Sequence, residues 1–262
     1  MTLGFLLSPC FGAEKKPTLS LKGGFYSPSS STFNNEAVPS TNRELKDIAS
    51  YLMASGFSPN YDELEKMKGN ATFGGEIELF FLRRFSITLG AEYWKSTSSA
   101  SLEASGHVEG SLYGANLNID FKASLMPITC TLRMRFPYKK LRTYAGGGIG
   151  LYMGQVELQE DYNHTKDGDS VRTSEISEEA RGSSMIPHVN GGFDLNITET
   201  LSLGIDVRYL FGKIKSFEIK ESSDKSRVKS QLTFVDENGL EKAFQWELDG
   251  INLGIFLRIK LY

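Results

Sequence analysis

Apolar and polar side chains alternate along eight stretches of this chain, beginning near Leu19, Phe73, Phe85, Ile128, Thr143, Val189, Leu201 and Ile251. The clearest stretch sets Phe85, Ile87, Leu89, Ala91 and Tyr93 on one face against Ser86, Thr88, Gly90, Glu92 and Trp94 on the other. A period of two is the signature of a β-strand with one apolar face. Phe73 to Phe81, Leu201 to Tyr209 and Ile251 to Leu261 repeat it. Each stretch runs about ten residues, the length a tilted strand needs to cross the hydrocarbon layer of a bilayer. Tyr93, Tyr209, Phe211, Phe81, Phe85 and Phe136 fall near strand ends, where the aromatic girdles of membrane barrels belong.

Alternation alone fits a soluble sandwich or lipocalin equally well, because each needs one apolar and one polar face. The connections separate the readings. Short links at Leu82–Arg84, Pro137–Lys140 and Asn196–Thr200 alternate with long ones at Ser27–Ala71, Lys95–Phe121, Gly154–Ser184 and Gly212–Glu247. In a barrel threaded through a membrane, every second connection emerges on the same side. A compact soluble domain rarely carries four long unstructured loops. The expected fold is therefore all-β: an eight-stranded antiparallel transmembrane β-barrel with short periplasmic turns and long extracellular loops. Its expected place is a bacterial outer membrane, and a soluble lipocalin-like barrel is the structural rival.

No window of 18 apolar residues occurs, so a helical membrane span is excluded. The formal net charge of −3 and a pI near 5.8 give no reason to expect nucleic acid. Two cysteines, Cys10 and Cys130, make a disulfide framework unexpected, and Cys130 falls in phase with the lipid-facing Ile128 and Leu132. Met1–Ala13 resembles the apolar core of a secretory signal peptide without its basic start. The expected division is a signal remnant at residues 1–13 and a barrel domain at 14–262, with a first structural strand as the other reading of the leader.

The non-lipid face carries the chemistry. Lys22, Glu76, Glu78, Glu92, Arg133, Arg135, His188, Asp194, Asp206, Arg208, Arg258 and Lys260 all fall in the inward phase, and acids and bases nearly balance. A desolvated interior demands such a balance, because an unpaired buried charge is costly. Two readings follow: a salt-bridge network that plugs the barrel, or a polar path for ions and small solutes. An eight-stranded lumen is barely wider than the side chains that fill it, which favours the plug.

Three segments carry a family resemblance: Leu19–Ser30 (LSLKGGFYSPSS), Pro127–Leu151 (PITCTLRMRFPYKKLRTYAGGGIGL) and Pro187–Tyr209 (PHVNGGFDLNITETLSLGIDVRY). On these stretches the chain is similar to the OmpW-like small outer-membrane barrels, with OmpX and OmpA barrels as wider relatives. The resemblance implies a structural barrel or a narrow channel for small molecules. Adhesion through the long loops, as in OmpX-like relatives, is an alternative. The C-terminal strand departs from the barrel pattern: its apolar set Ile255, Leu257, Ile259 and Leu261 is out of phase by one with the terminal aromatic Tyr262.

Catalysis is not expected. A lipid A-modifying or proteolytic site needs a histidine base beside a serine or carboxylate. His107 and His164 fall in predicted loops, and His188 points inward close in sequence to Ser183 and Ser184. No cofactor and no metal site is expected. Acidic loop clusters at Gln159–Ser170 and Glu175–Glu179 suggest either solvated surface or carboxylates that bind divalent cations bridging lipopolysaccharide phosphates. The expected partners are outer-membrane lipid and lipopolysaccharide, the barrel assembly machinery, and a surface ligand at the loops. Asp167-Gly168 and Asn238-Gly239 read as hairpin turns, by which the third and fourth long connections would extend the strands beyond the membrane. Asn42–Ser55 has helical periodicity, with Leu45, Ile48 and Leu52 on one face, and reads as a short helix lying on the barrel mouth or the membrane surface, for core-capping rather than partner binding.

Overall fold

The computed structural model describes residues 16–30, 32–138, 140–235 and 240–261. The expected signal remnant, Tyr262 and the Asn238-Gly239 turn lie outside these residues. Eight strands form the barrel: β1 (Thr18–Pro28), β2 (Asn70–Phe80), β3 (Phe85–Val108), β4 (Ser111–Tyr138), β5 (Leu141–Lys166), β6 (Asp169–Asn196), β7 (Leu201–Leu210) and β8 (Gly250–Lys260). Every consecutive pair is antiparallel, and β8 returns to β1 with Leu21 opposite Leu257, so the sheet closes without an edge. The eight predicted segments are these eight strands.

The outer face of the lower barrel is apolar and uncovered. Leu21 and Phe25 on β1, Ile77 on β2, Leu89 on β3, Leu132 on β4, Ile149 on β5, Val189 on β6, Val207 on β7 and Ile255 on β8 are all exposed. This ring of apolar side chains stays exposed, as the lipid-facing band of a membrane barrel requires. Charged residues of the same strands point inward instead. This inversion settles the rivalry with the lipocalin reading, in which the apolar face would be buried. Cys130 is exposed in the band, as its phase predicts.

The second long connection differs from expectation, while the third extends its strands as the Asp167-Gly168 turn suggests. Two of the four are regular structure: β3 and β4 run for 24 and 28 residues, β5 and β6 for 26 and 28. At about 3.4 Å per residue, they rise well beyond the 10- or 11-residue strands β1, β2, β7 and β8. His107 and His164 accordingly lie in strands rather than loops, with the His164 ring stacked on Tyr113 at 5.8 Å. The predicted turn at Asp167-Gly168 closes the β5–β6 hairpin with both residues at positive φ (50° and 91°). Glu109-Gly110 does the same for β3–β4 (53° and 87°). Two successive positive φ values make the type I′ turn that matches strand twist, and glycine takes the second position without a Cβ penalty.

The remaining two long connections complete the upper half. Ser58–Asp62 pairs with β3, Tyr61 opposite Leu102, where β2 has ended. Glu218–Ser222 pairs with β6, Ile219 opposite Ala180, where β7 has ended. The result is a six-stranded trough standing on the barrel. Into it folds α1 (Val38–Ala54), with Val38, Leu45 and Ala49 buried; Leu45 and the partly buried Ile48 and Leu52 are the face predicted from the sequence. Phe33 stacks on Phe121 at 4.1 Å, and Phe217, Phe244, Trp246 and Leu248 close the trough from the other side. Asn34 and Asn42 stitch the first connection down: each amide donates to and accepts from one backbone residue, Met67 (3.2 and 2.7 Å) and Leu64 (3.1 and 2.7 Å) respectively.

Glu160 on β5 is half-buried in this trough. Burial and the carboxylates of Glu44 on α1 and Glu178 on β6 push its pKa up, against the partial relief of Arg227. A carboxyl that is harder to ionise in the native state favours folding below its unfolded pKa and loses that contribution as pH rises through the folded value. Glu160→Gln is therefore expected to slow amide exchange in α1 at pH 7 relative to the parent protein, with the difference vanishing by about pH 4. Hydrogen-exchange mass spectrometry at the two pH values checks it.

Candidate functional site: the charged lumen

Inside the membrane-spanning part, the in-phase polar residues meet as one network. Its lower layer is centred on Glu78 and Asp194. Arg135 donates to Glu78 through Nε (2.6 Å) and through a second, shorter contact, and reaches Asp194 Oδ2 at 3.1 Å. Ser86 donates to Glu78 at 2.5 Å, Arg258 pairs closely with Asp194, and Arg142 closes the layer from below on Asp194 Oδ1 at 2.5 Å.

The upper layer is centred on Glu76 and Asp206. Arg133 grips Glu76 with a two-pronged contact (2.5 and 3.0 Å), and its ring neighbour Tyr144 lies 4.7 Å away, a cation–π distance. Lys22 bridges Glu76 (2.8 Å) and Asp206 (3.1 Å). Asp206 also accepts from Tyr144 at 2.5 Å and Asn190 at 3.1 Å. Above them, Glu92 accepts from Arg208 at 2.8 Å and Asn252 at 2.9 Å. Arg258 joins the two layers, 3.6 Å from Glu76 and 3.7 Å from Glu78.

The sequence builds this arrangement through small residues. Glu76 and Glu78 stand on β2, while Arg133 and Arg135 stand on β4, so β3 lies between each pair. Over that span β3 turns only Ser86, Thr88 and Gly90 inward, and the guanidinium groups reach across them. Gly146 on β5 is needed for the same reason: a Cβ there would lie 2.7 Å from Asn190 Oδ1 and 3.0 Å from Arg133 Cγ. Glycines that would weaken an ordinary strand here make room for arginine.

Eleven of the twelve lumen residues expected from the sequence line this interior. His188 is one of them, 1% exposed, with Nε2 2.8 Å from Thr131 Oγ1. Lys260 is the exception: its ammonium lies at the short-turn mouth and donates to the Glu199 backbone carbonyl. It sits below the last desolvated layer, so the inward phase places it in the mouth and not in the network. Not among the twelve were Arg142, Tyr144, Asn190 and Asn252, which join the same network. All four are in the inward phase of their strands, where the same alternation finds them.

Above the ions the lumen turns apolar. Trp94 sits against Tyr26 (6.0 Å, edge-on) and Trp246 (5.5 Å), and Tyr26 donates to the Leu248 carbonyl at 2.7 Å. Trp246 donates to Ser30 at 3.1 Å, tying the two extracellular connections together over the barrel. The trough core follows without a break. Ionic layers, aromatic layer and apolar core together form a continuous column of buried side chains along the axis.

Removal of one member exposes how the network is held. Glu76→Gln leaves Arg133 and Lys22 short of a counter-charge in a desolvated site, which costs about 3–5 kcal/mol. The double variant E76Q/R133M is expected to cost distinctly less than the two single substitutions combined, in a double-mutant cycle read from urea unfolding in lipid vesicles. Strict additivity would mean that the pair is not coupled.

No protein-family model matches the chain, and no curated protein is similar to it in sequence. Among solved structures, the outer membrane protein OprG from Pseudomonas aeruginosa is similar over 95% of this chain and 98% of its own, at 13% identity and a TM-score of 0.45. The outer membrane protease OmpT from Escherichia coli is similar over the same shares, at 10% identity and a TM-score of 0.29. The barrel assignment stands on the closed sheet, the apolar band and the charged interior described above.

Proposed function

We propose that this outer-membrane-type barrel is a structural surface protein, closed to solutes, whose working part is the rigid trough it holds above the membrane. The observation that supports the reading is the continuous buried column. Arg133 and Glu78 are 0% exposed, and the aromatic layer of Tyr26, Trp94 and Trp246 stands 1–2% exposed above them. A path for ions would need either the ionic layers or the aromatic layer to part. A narrow channel needs an opening along the axis, whereas a surface protein needs only the folded trough.

Planar-bilayer recording of the purified protein is the test. The expected outcome is no discrete conductance step over the background of the empty bilayer. Regular single-channel steps that disappear on heat denaturation of the protein would overturn the sealed reading in favour of the channel.

His188 serves packing in this account. Its ring is buried, its Nε2 meets Thr131, and a substrate at the outer leaflet has no route to it. His188→Asn is expected to leave the lipid A of expressing cells unchanged by mass spectrometry. A lipid A species present with the parent protein and lost with the variant would reinstate the enzyme.

A further inference from the structure

The short-turn end of the barrel is basic although the chain as a whole has a net charge of −3. Among the described residues it carries Lys16, Arg83, Arg84, Lys140, Arg142 and Lys260 against the single acid Glu199. Arg142 is consumed by Asp194 in the lumen; the other five ring the rim. Lys16, Arg83, Arg84 and Lys140 are exposed.

The rim stands directly beneath the apolar band. Phe81 (51% exposed) and Leu82 (43%) precede Arg83 and Arg84 in the first turn; Ile197 (56%) and Leu261 (39%) flank Lys260. At about 3.4 Å per residue, one or two residues separate the hydrocarbon-facing side chains from the cations, which is the depth of the lipid headgroups. One place on the rim is concave. A cavity of about 640 Å³ is lined by Lys16, Lys140 and Lys260, by Thr198 and Thr200, and by Ile197 and Leu261. Its walls are pre-set: Thr198 Oγ1 accepts from the backbone N–H of Thr200 (3.2 Å) and Leu201 (3.0 Å), and the Lys260 ammonium is tethered to the Glu199 carbonyl.

We infer that this rim is a docking surface for anionic phospholipid of the periplasmic leaflet, with a phosphodiester headgroup seated in the Lys16–Lys140–Lys260 cavity. Three ammonium groups supply the charge, and the threonine hydroxyls supply hydrogen bonds to phosphate oxygens. Ile197 and Leu261 offer apolar surface where an acyl chain descends beside the barrel. The combination separates a lipid from a free anion: soluble phosphate would use the lysines and leave the apolar pair idle. It also separates the lipid from an acidic protein, whose approach from the periplasm would not need residues facing the hydrocarbon. Long lysine side chains at this depth suit the role, since the stem lies along apolar surface while the charge stays in the headgroup layer. Juxtamembrane cations attract anionic lipid by amounts that make each one worth a several-fold change in affinity.

The inference rests on the membrane-barrel reading, and heat-modifiable migration on gels checks that reading separately in every sample. The experiment is native mass spectrometry of the full chain, delipidated in detergent and titrated with phosphatidylglycerol or phosphatidylcholine of matched chains. The expected result is selective retention of phosphatidylglycerol, weakened by roughly tenfold or more in K140Q/K260Q and unaffected in K213Q/K215Q, which removes the same charge from the far end. Selectivity of the parent protein is also expected to fall as salt rises, a readout that does not depend on the variant folding. Equal retention of the two lipids by the parent protein, loss of selectivity in K213Q/K215Q alone, or full displacement of the lipid by millimolar inorganic phosphate would overturn it.

Discussion

Charges buried in the wall of a membrane barrel must neutralise one another where they stand, and the rest of this structure is arranged to let them. Five carboxylates (Glu76, Glu78, Glu92, Asp194 and Asp206) face five cations (Lys22, Arg133, Arg135, Arg208 and Arg258) within a few ångströms, and Arg142 adds a sixth at the lower mouth. Neither water nor lipid replaces a lost partner in such a site, so each group depends on its neighbours. Strand order, register and glycine placement all serve that constraint. The small inward side chains of β3 allow contacts between β2 and β4, and Gly146 leaves space beside Arg133. Arginine is the suited cation, since its fork meets Glu76 and Glu78 through two nitrogens at once.

The upper half answers a different requirement. Once β3 to β6 rise beyond β1, β2, β7 and β8, the sheet is no longer closed, and its inner face must be covered. The first connection supplies α1 and Phe33, and the last supplies Phe217, Phe244, Trp246 and Leu248. The two are joined across the mouth by Trp246 to Ser30 and by Thr32, whose N–H and hydroxyl both donate to Glu247 (3.0 and 2.7 Å). A barrel with mobile loops would need none of this. The trough is a second core built on the first.

Legibility in the sequence followed the physics of each part. The spanning strands were readable because lipid on one side and ions on the other make alternation extreme, as in Ile251 to Lys260. The lumen network was readable from phase alone, although phase places Lys260 among the ions when depth puts it at the mouth. The risen parts of β3 and β4 were hidden, and those of β5 and β6 were announced only by their turn. Outside the bilayer both faces of a strand tolerate polar residues, so Ser96, Ser98 and Ser101 read as loop. Glu109-Gly110 lacks the asparagine or aspartate that usually announces a type I′ turn, whereas Asp167-Gly168 carries it. The helix α1 was visible because its buried stripe is helical in period, but the aromatic closure by Phe244 and Trp246 sat in a stretch with few other strand signals.

The central claim is that the lumen is sealed inside the membrane, and thiol accessibility measures this most directly. In a background without Cys10 and Cys130, single cysteines at Thr88 and Thr131 report on the ionic layers, and one at Thr173 reports on the exposed trough. With the protein in lipid vesicles, a membrane-impermeant maleimide is expected to label Thr173→Cys quickly and to leave Thr88→Cys and Thr131→Cys unmodified from either side. Labelling of the two lumen positions at a rate comparable to Thr173→Cys would show water and solute reaching the network, and would contradict the account.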